Sequence, residues 1–465
     1  MAFSTAENQI KHLYSRAGFG LRYNEFLERK NWSVKKAVKH LFSASEKDEP
    51  LGVVNGDIYA MQQMQAAKQD ENQKKMLIQQ RNQQERNLNL GWMDLMAGTD
   101  AVLREKMVLF WHNHFACRTN RPAFAQQLNN VQRKYALGNF RDLLTEVSKT
   151  PAMLAFLNNQ QNRKGHPNEN FAREVMELFT LGRGNYSEND VKEGARAFTG
   201  WTYDKDGNFI FREKQHDDGT KTFLGSTGKF KGEDILDKLL AKKETATFIS
   251  RKLYKSFVNE TPDEAHVAEM ATVFYNAKYD IGELMRFVFS ADWFYAPQNV
   301  GNLIKSPVEM LVGLNRQFYI TYQAPATLIQ FQKTLGQQLF NPPNVAGWPG
   351  GRNWIDSSSL MYRMKIPSML LTGGLIDFTG KADPEDEAFI AATRKRQDVV
   401  TRKLQASADW EKVLSGIPQK TSNADFATFF FEAKPGQGFM QEINAVTDRK
   451  SALVQMVSTA EYQLC

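Results

Sequence analysis

Residues 167–201, PNENFAREVMELFTLGRGNYSENDVKEGARAFTGW, decide the fold class. They read as a helix, a turn, a second helix and a sharp exit. Asn168 is placed to cap a helix running to about Leu181, and Gly182 and Gly184 supply the left-handed stop and the turn. Ser187 and Asp190, three residues apart, form a capping pair for the second helix, which Gly200 closes. On the first helix Phe171, Val175, Leu178 and Phe179 share an apolar face. Asn170, Arg173, Glu174 and Glu177 fall together on another. Two carboxylates and a guanidinium therefore share one flank, which is either an interior polar site or a solvated face.

The same helical punctuation continues outward. Ser4 and Glu7 make a capping box ahead of a helix that stops near Gly18, and Asn24 and Ser33 cap two short helices. Residues 58–96, rich in Gln, Lys, Asn and Met, read as a long helical arm. Its thin stripe is Met61, Met64, Met76 and Leu77, and it either projects or lies solvated on the outside. LREKMVLFWHNHF, residues 103–115, is a strongly apolar helix. Past Trp201 the texture changes to alternating aromatic and polar residues around Asp-Gly turns. This predicts a β-hairpin from Tyr203 to Phe211 and another strand near Thr222, within an insert at 202–230. Helices resume from about Glu233, with Thr245 as the cap of ATFISRKLYKSFV. A Gly/Pro/Trp-rich loop follows near 336–356, Asp356 or Ser357 caps the next helix, and residues 380–465 are charged and helical. The expected architecture is mainly α: one large multi-helix globular domain over 1–465, with a small β-hairpin insert near 202–225 and the loop near 336–356.

Composition narrows the function classes. A chain of 465 residues, 42% hydrophobic, can bury a large core. The net charge of +7 is spread without a dense basic run, which argues against nucleic acid as a partner. Two cysteines, Cys117 and Cys465, build no disulfide framework. No apolar run is long enough to span a bilayer, and the first residues lack a signal-peptide pattern. As written the chain is expected in the cytoplasm, or outside it if a signal was removed or a partner carries one.

Several residues are candidates for chemistry. His112 and His114 sit two apart in WHNHF and face apart on a continuous helix, so they meet one ligand only if the helix ends there. With His216 and Asp217, and with His12, Glu174, Glu177 and Asp218 as further partners, they offer nitrogen and oxygen ligands for a divalent zinc, iron or manganese ion. The alternative is that each is a hydrogen-bonded structural histidine. Glu174 and Glu177 beside Arg173, with His114, are the candidate acid/base set; the alternative is an Arg-Glu network reaching Arg196. Trp201, Trp348, Trp354 and Arg352 offer flat apolar faces beside a rigid cation, suited to a glycan or peptide, or else they plug the core. Cys117 next to Arg118 is a weaker nucleophile candidate with no defined base. Walker, GxSxG and Rossmann patterns do not occur.

HLYSRAGFG, WHNHF, ALGNFRDLL with TPAMLAFLNN, the 167–201 stretch, KTFLG and NPPNVAGWPGGRNWI together resemble the bacterial domain-of-unknown-function family DUF1800. The resemblance runs from about residue 10 to about residue 370 and onward. It implies a largely helical protein without an assigned activity. Such proteins are often encoded beside a second family that resembles alkaline phosphatases or sulfatases, and many carry export signals. It carries over no catalytic residue. Two functions are therefore expected. One is an enzyme, metal-assisted or acid/base and hydrolase-like, acting on a polar polymer such as a glycan or peptide. The other is a non-catalytic binding or maturation partner of the co-encoded phosphatase/sulfatase-like protein, using the helical arm and the Trp-rich loop.

Overall fold

A helix that is apolar on every side belongs inside a protein, and the helix Val102–His114 buries eleven of its 13 residues. The computed structural model describes residues 4–54, 70–373 and 406–465, and within them this helix is the axis of the N-terminal half. Helices Thr5–Ala17, Val34–Ala44, Glu71–Gly98 and Pro122–Lys134 all pack on it. Its charged residues are paired where they are buried. Glu105 accepts from Arg133 at 2.7 and 2.9 Å and from the Trp92 indole at 2.8 Å. Arg104 donates to the carbonyls of Ser45 and Arg133, and Lys106 pairs with Glu309.

The second half is a succession of helix pairs. Lys243–Phe257 packs on Glu264–Asn276, which packs on Ile281–Ser290; further on, Ser357–Thr372 packs on Arg449–Val457. The protein is mainly α. Its strands are short antiparallel pairs: Trp201–Tyr203 with Phe209–Phe211, Lys221–Phe223 with Ser226–Gly228, and Thr321–Tyr322 with Ala406–Ser407. The first is the hairpin expected around Asp206 and Gly207. Its entry needs glycine at 200, where φ is +83° and a Cβ would stand 2.7 Å from the Arg212 carbonyl oxygen. No described helix is long and apolar enough to cross a membrane.

Several local expectations are corrected. The arm does not simply project. Helix Glu71–Gly98 leaves Met76 60% exposed but buries Leu88, Trp92, Met93 and Met96 against Pro307–Phe318 and Ala326–Thr334. Its polar first half hid an apolar second half, LNLGWMDLM. Met61 and Met64 lie outside the described residues, as does the beginning of the 380–465 segment. Helix Tyr23–Arg29 is capped at Arg22 with Glu25 rather than at Asn24. Thr245 lies inside its helix, where its hydroxyl donates to the Leu239 carbonyl instead of capping.

Candidate functional site

The 167–201 stretch forms its two helices, and the first ends unusually. Asn168 Oδ1 accepts the Asn170 N–H at 3.1 Å, and helix Asn170–Glu174 runs straight into a π-helical turn, Val175–Thr180. The N–H groups of Leu181 and Gly182 both reach back to the Met176 carbonyl, at 2.8 and 3.1 Å. Widening the turn shifts the faces: Met176 and Thr180 join Phe171, Val175 and Phe179 inside, while Leu178 is only half-buried. The last carbonyls of a helix have no intrahelical partner, so those of Leu178 and Phe179 are satisfied from outside.

Lys252 and His114 satisfy them. Lys252 Nζ, from helix Lys243–Phe257, lies 3.3 Å from the Leu178 carbonyl and 3.0 Å from His114 Nδ1. His114 Nε2 lies 3.3 Å from the Phe179 carbonyl. A carbonyl only accepts, so Nε2 carries the proton. Burial, and then the Lys252 charge, hold the imidazole well below its usual pKa, so Nδ1 is a lone pair that accepts from Lys252. Burial also pushes the Lys252 ammonium down to about 8. The negative end of the helix dipole opposes that shift, but desolvation prevails.

This pair lines a cleft of about 390 Å³ between the two helices and the Gly/Pro/Trp-rich loop. Trp348 and Trp354 line one side, with Glu260, Lys255 and the Lys106–Glu309 pair also lining it. Two neighbours of His114 hold the loop. Asn113 Oδ1 accepts the Trp348 N–H at 2.7 Å, and its amide nitrogen donates to the Trp348 carbonyl at 3.3 Å. Gly347 makes the approach possible, because with φ at +85° a Cβ there would fall 2.2 Å from Asn113 Oδ1. His112 Nε2 accepts the Phe340 N–H at 3.1 Å, and its ring packs on Trp92, Phe340 and Trp348. Burial lowers its pKa to about 3, so it is neutral.

The structure separates residues that the sequence grouped. Arg173 donates to Glu188 from both terminal guanidinium nitrogens at 2.7 Å and to Glu169 at 3.3 Å. Glu177 accepts from Arg183 at 2.5 Å and from the Tyr186 hydroxyl at 2.7 Å, which hold its pKa below the usual carboxylate value. Glu174 is half-buried, and burial followed by Glu177 raises its pKa. These three do not line the cleft, whereas His114 does. Arg196, the partner of this helix in the alternative reading, instead pairs with Glu193 and Asp217.

The four metal candidates do not converge. His112 and His114 are engaged as above; His216 Nδ1 donates to the Thr199 carbonyl at 3.0 Å. Asp217 accepts from Arg196 at 2.8 and 3.2 Å, which lowers its pKa to about 2. His12 faces the Phe294 carbonyl at 3.2 Å. Among the described residues no three His, Cys, Asp or Glu side chains stand together to hold a metal ion. The physical reason is that each histidine spends its ring nitrogen on a backbone group of a different element.

Of the four proposed substrate contacts, Trp348 and Trp354 line the cleft, though both are mostly buried, at 5% and 7% exposed. Trp201 is 1% exposed and packs edge-on against Phe198 and Phe209 at 5.1 and 5.3 Å, so it plugs the core. Such pairs add about 0.5–1.5 kcal/mol each beyond area burial. Arg352 is exposed beside the cleft, its backbone N–H donating to Glu260 at 3.2 Å. Cys117 is buried, and burial raises its thiol pKa, the opposite of an activated nucleophile. The sequence carried only a faint sign of Lys252: a lysine between Ile249 and Leu253 on the apolar side of an amphipathic helix. Lys106 in LREKMVLFW is a similar sign.

Residues 12–464 match the family model described as "Protein of unknown function (DUF1800)". No curated protein and no solved structure matches the chain.

Proposed function

The chain belongs to the DUF1800 family, and from that premise we propose that it is an acid/base enzyme of hydrolase type acting on a polar polymer, a glycan or a peptide. The observation that carries the reading is the Lys252–His114 pair lining a cleft walled by Trp348 and Trp354. A lysine with a pKa of about 8 gives up its proton near neutrality, which suits a general base better than an ordinary lysine does. As the amine, Lys252 takes a proton from the attacking water; as the ammonium it returns one to the leaving group. His114 is locked by the Phe179 carbonyl in the tautomer that keeps Nδ1 toward Lys252, which makes it a positioning residue. The small parts of Trp348 and Trp354 that reach the cleft, 5% and 7% exposed, add apolar contact for a sugar ring or peptide plane, and Glu260 and Lys255 supply polar contacts.

The acid/base form is favoured over the metal-assisted one because the proposed ligands are divided among separate elements. The alternative, a non-catalytic partner of a co-encoded phosphatase/sulfatase-like protein, calls for a broad apolar surface. Among the described residues the exposed large hydrophobics are Met76, Met361 and Met364, which is a thin basis for it. Residence inside or outside the cytoplasm does not alter the reading.

The test is a panel of glycans and peptides assayed for newly released reducing ends and amines. Wild type is expected to cleave one class, and Lys252→Met to lose about 100-fold or more of that rate. Equal rates in the two proteins would overturn the assignment of Lys252.

A further inference from the structure

We propose that Lys252 also captures carbonyl compounds covalently: its amine condenses with an aldehyde or ketone that carries an anionic group, held in the same cleft against Lys255. This rests on the reading that Lys252 is the reactive group of the cleft, and it adds a substrate class to it. Three features of the geometry carry it.

First, an ammonium has three N–H groups. Two go to His114 Nδ1 and the Leu178 carbonyl, and the third has no hydrogen-bond acceptor among the described residues, the ammonium lying 5.0 Å from the Phe248 ring centroid. Loss of that proton leaves a lone pair on a nitrogen whose other two positions are fixed, which is the preorganised state of an imine-forming lysine. Second, the nitrogen is desolvated without being sealed. Lys252 is half-buried and lines a cleft of about 390 Å³, large enough for a small sugar or oxo acid. Third, a cation stands near it. Lys255 lies three residues on, one helical turn along the same face, and is exposed in the cleft. Lys106 is matched by Glu309, while Glu260, which accepts the Arg352 backbone N–H, remains a carboxylate in the same cleft. Lys255 is thus the cation left to meet a phosphate or carboxylate.

The chemistry balances without an outside oxidant. The Lys252 lone pair forms the C–N bond as the carbonyl π pair moves to oxygen, which takes a proton from solvent. The nitrogen sheds one of its two protons to give the neutral carbinolamine, whose hydroxyl takes a second proton from solvent and leaves as water while the nitrogen lone pair forms the C=N bond; the nitrogen then gives its last proton to solvent as the imine forms. A second ligand amine or water reverses it.

Pyridoxal 5′-phosphate serves as the probe, being an aldehyde with an anionic group. The full-length protein is incubated with limiting probe, reduced with cyanoborohydride, and mapped by peptide mass spectrometry. The expected result is a dominant adduct on Lys252, absent in Lys252→Arg. Labelling in Lys255→Ala should fall several-fold with the phosphate probe but not with phosphate-free pyridoxal. Labelling spread over surface lysines with no preference for Lys252 would overturn the proposal, and wild-type mapping decides this even if a variant fails to fold. The pH dependence of Lys252 acetylation, read on the same protein, separates the two ideas. A midpoint near about 8 without an imine defeats the carbonyl inference alone, whereas no such midpoint defeats the base reading as well.

Discussion

Lys252 Nζ stands 3.0 Å from His114 Nδ1, and that contact joins three parts of the chain that are far apart in sequence. The π-helical turn Val175–Thr180 presents the Leu178 and Phe179 carbonyls, the helix Val102–His114 presents the imidazole, and Lys243–Phe257 presents the amine. The same WHNHF segment, through His112 and Asn113, also holds the Trp348 loop on the other side of the cleft. One short motif therefore fixes both the polar pair and the aromatic wall.

Asn113→Ala removes both hydrogen bonds to the Trp348 backbone. It should lower stability by roughly 1–3 kcal/mol in urea unfolding and raise acrylamide quenching of tryptophan fluorescence as the loop loosens. Unchanged quenching would count against Asn113 as the loop's anchor.

Glu105→Ala leaves Arg133, 1% exposed, without its carboxylate and the Trp92 indole without its acceptor. Breaking one side of a buried pair costs about 3–5 kcal/mol. A loss under about 1 kcal/mol in denaturant titration would contradict the buried position of this pair.

Glu174→Gln tests the flank of the 167–201 helix. Burial and Glu177 raise the Glu174 pKa above the ordinary carboxylate value of 4.5. A raised folded-state pKa means the folded protein prefers the protonated form, so the ionised carboxyl weakens the fold as pH rises through that value. The variant should be more stable than wild type at neutral pH, and the advantage should vanish below about 4.5. A variant less stable at neutral pH would mean that Glu174 holds a favourable partner.

How much of this was legible in the sequence follows from what local rules govern. Capping residues and Asp-Gly turns act within a few positions, so Asn168, Ser187 with Asp190, and the Trp201–Phe211 hairpin stood where their chemistry put them. The π-helical turn was not legible, since no residue type marks a widened turn, and it moved Met176 inside in place of Leu178. The site was legible only on one side. WHNHF and the Trp loop drew attention because they concentrate aromatic and polar residues. Lys252 did not, because its desolvation comes from distant elements closing over it rather than from its neighbours in sequence. His216 and Asp217 looked like ligands because sequence cannot show that the Thr199 carbonyl and Arg196 already engage them.

The most direct test of the account is the pH dependence of Lys252 acetylation, followed by mass spectrometry on the folded protein from neutral to strongly alkaline solution. The account predicts half-maximal reactivity near about 8, and loss of that inflection in the unfolded protein. Reactivity that climbs without inflection to the ordinary lysine value of 10.5 would contradict it, because Lys252 would then be a solvated ammonium with no capacity to act as the base of this cleft.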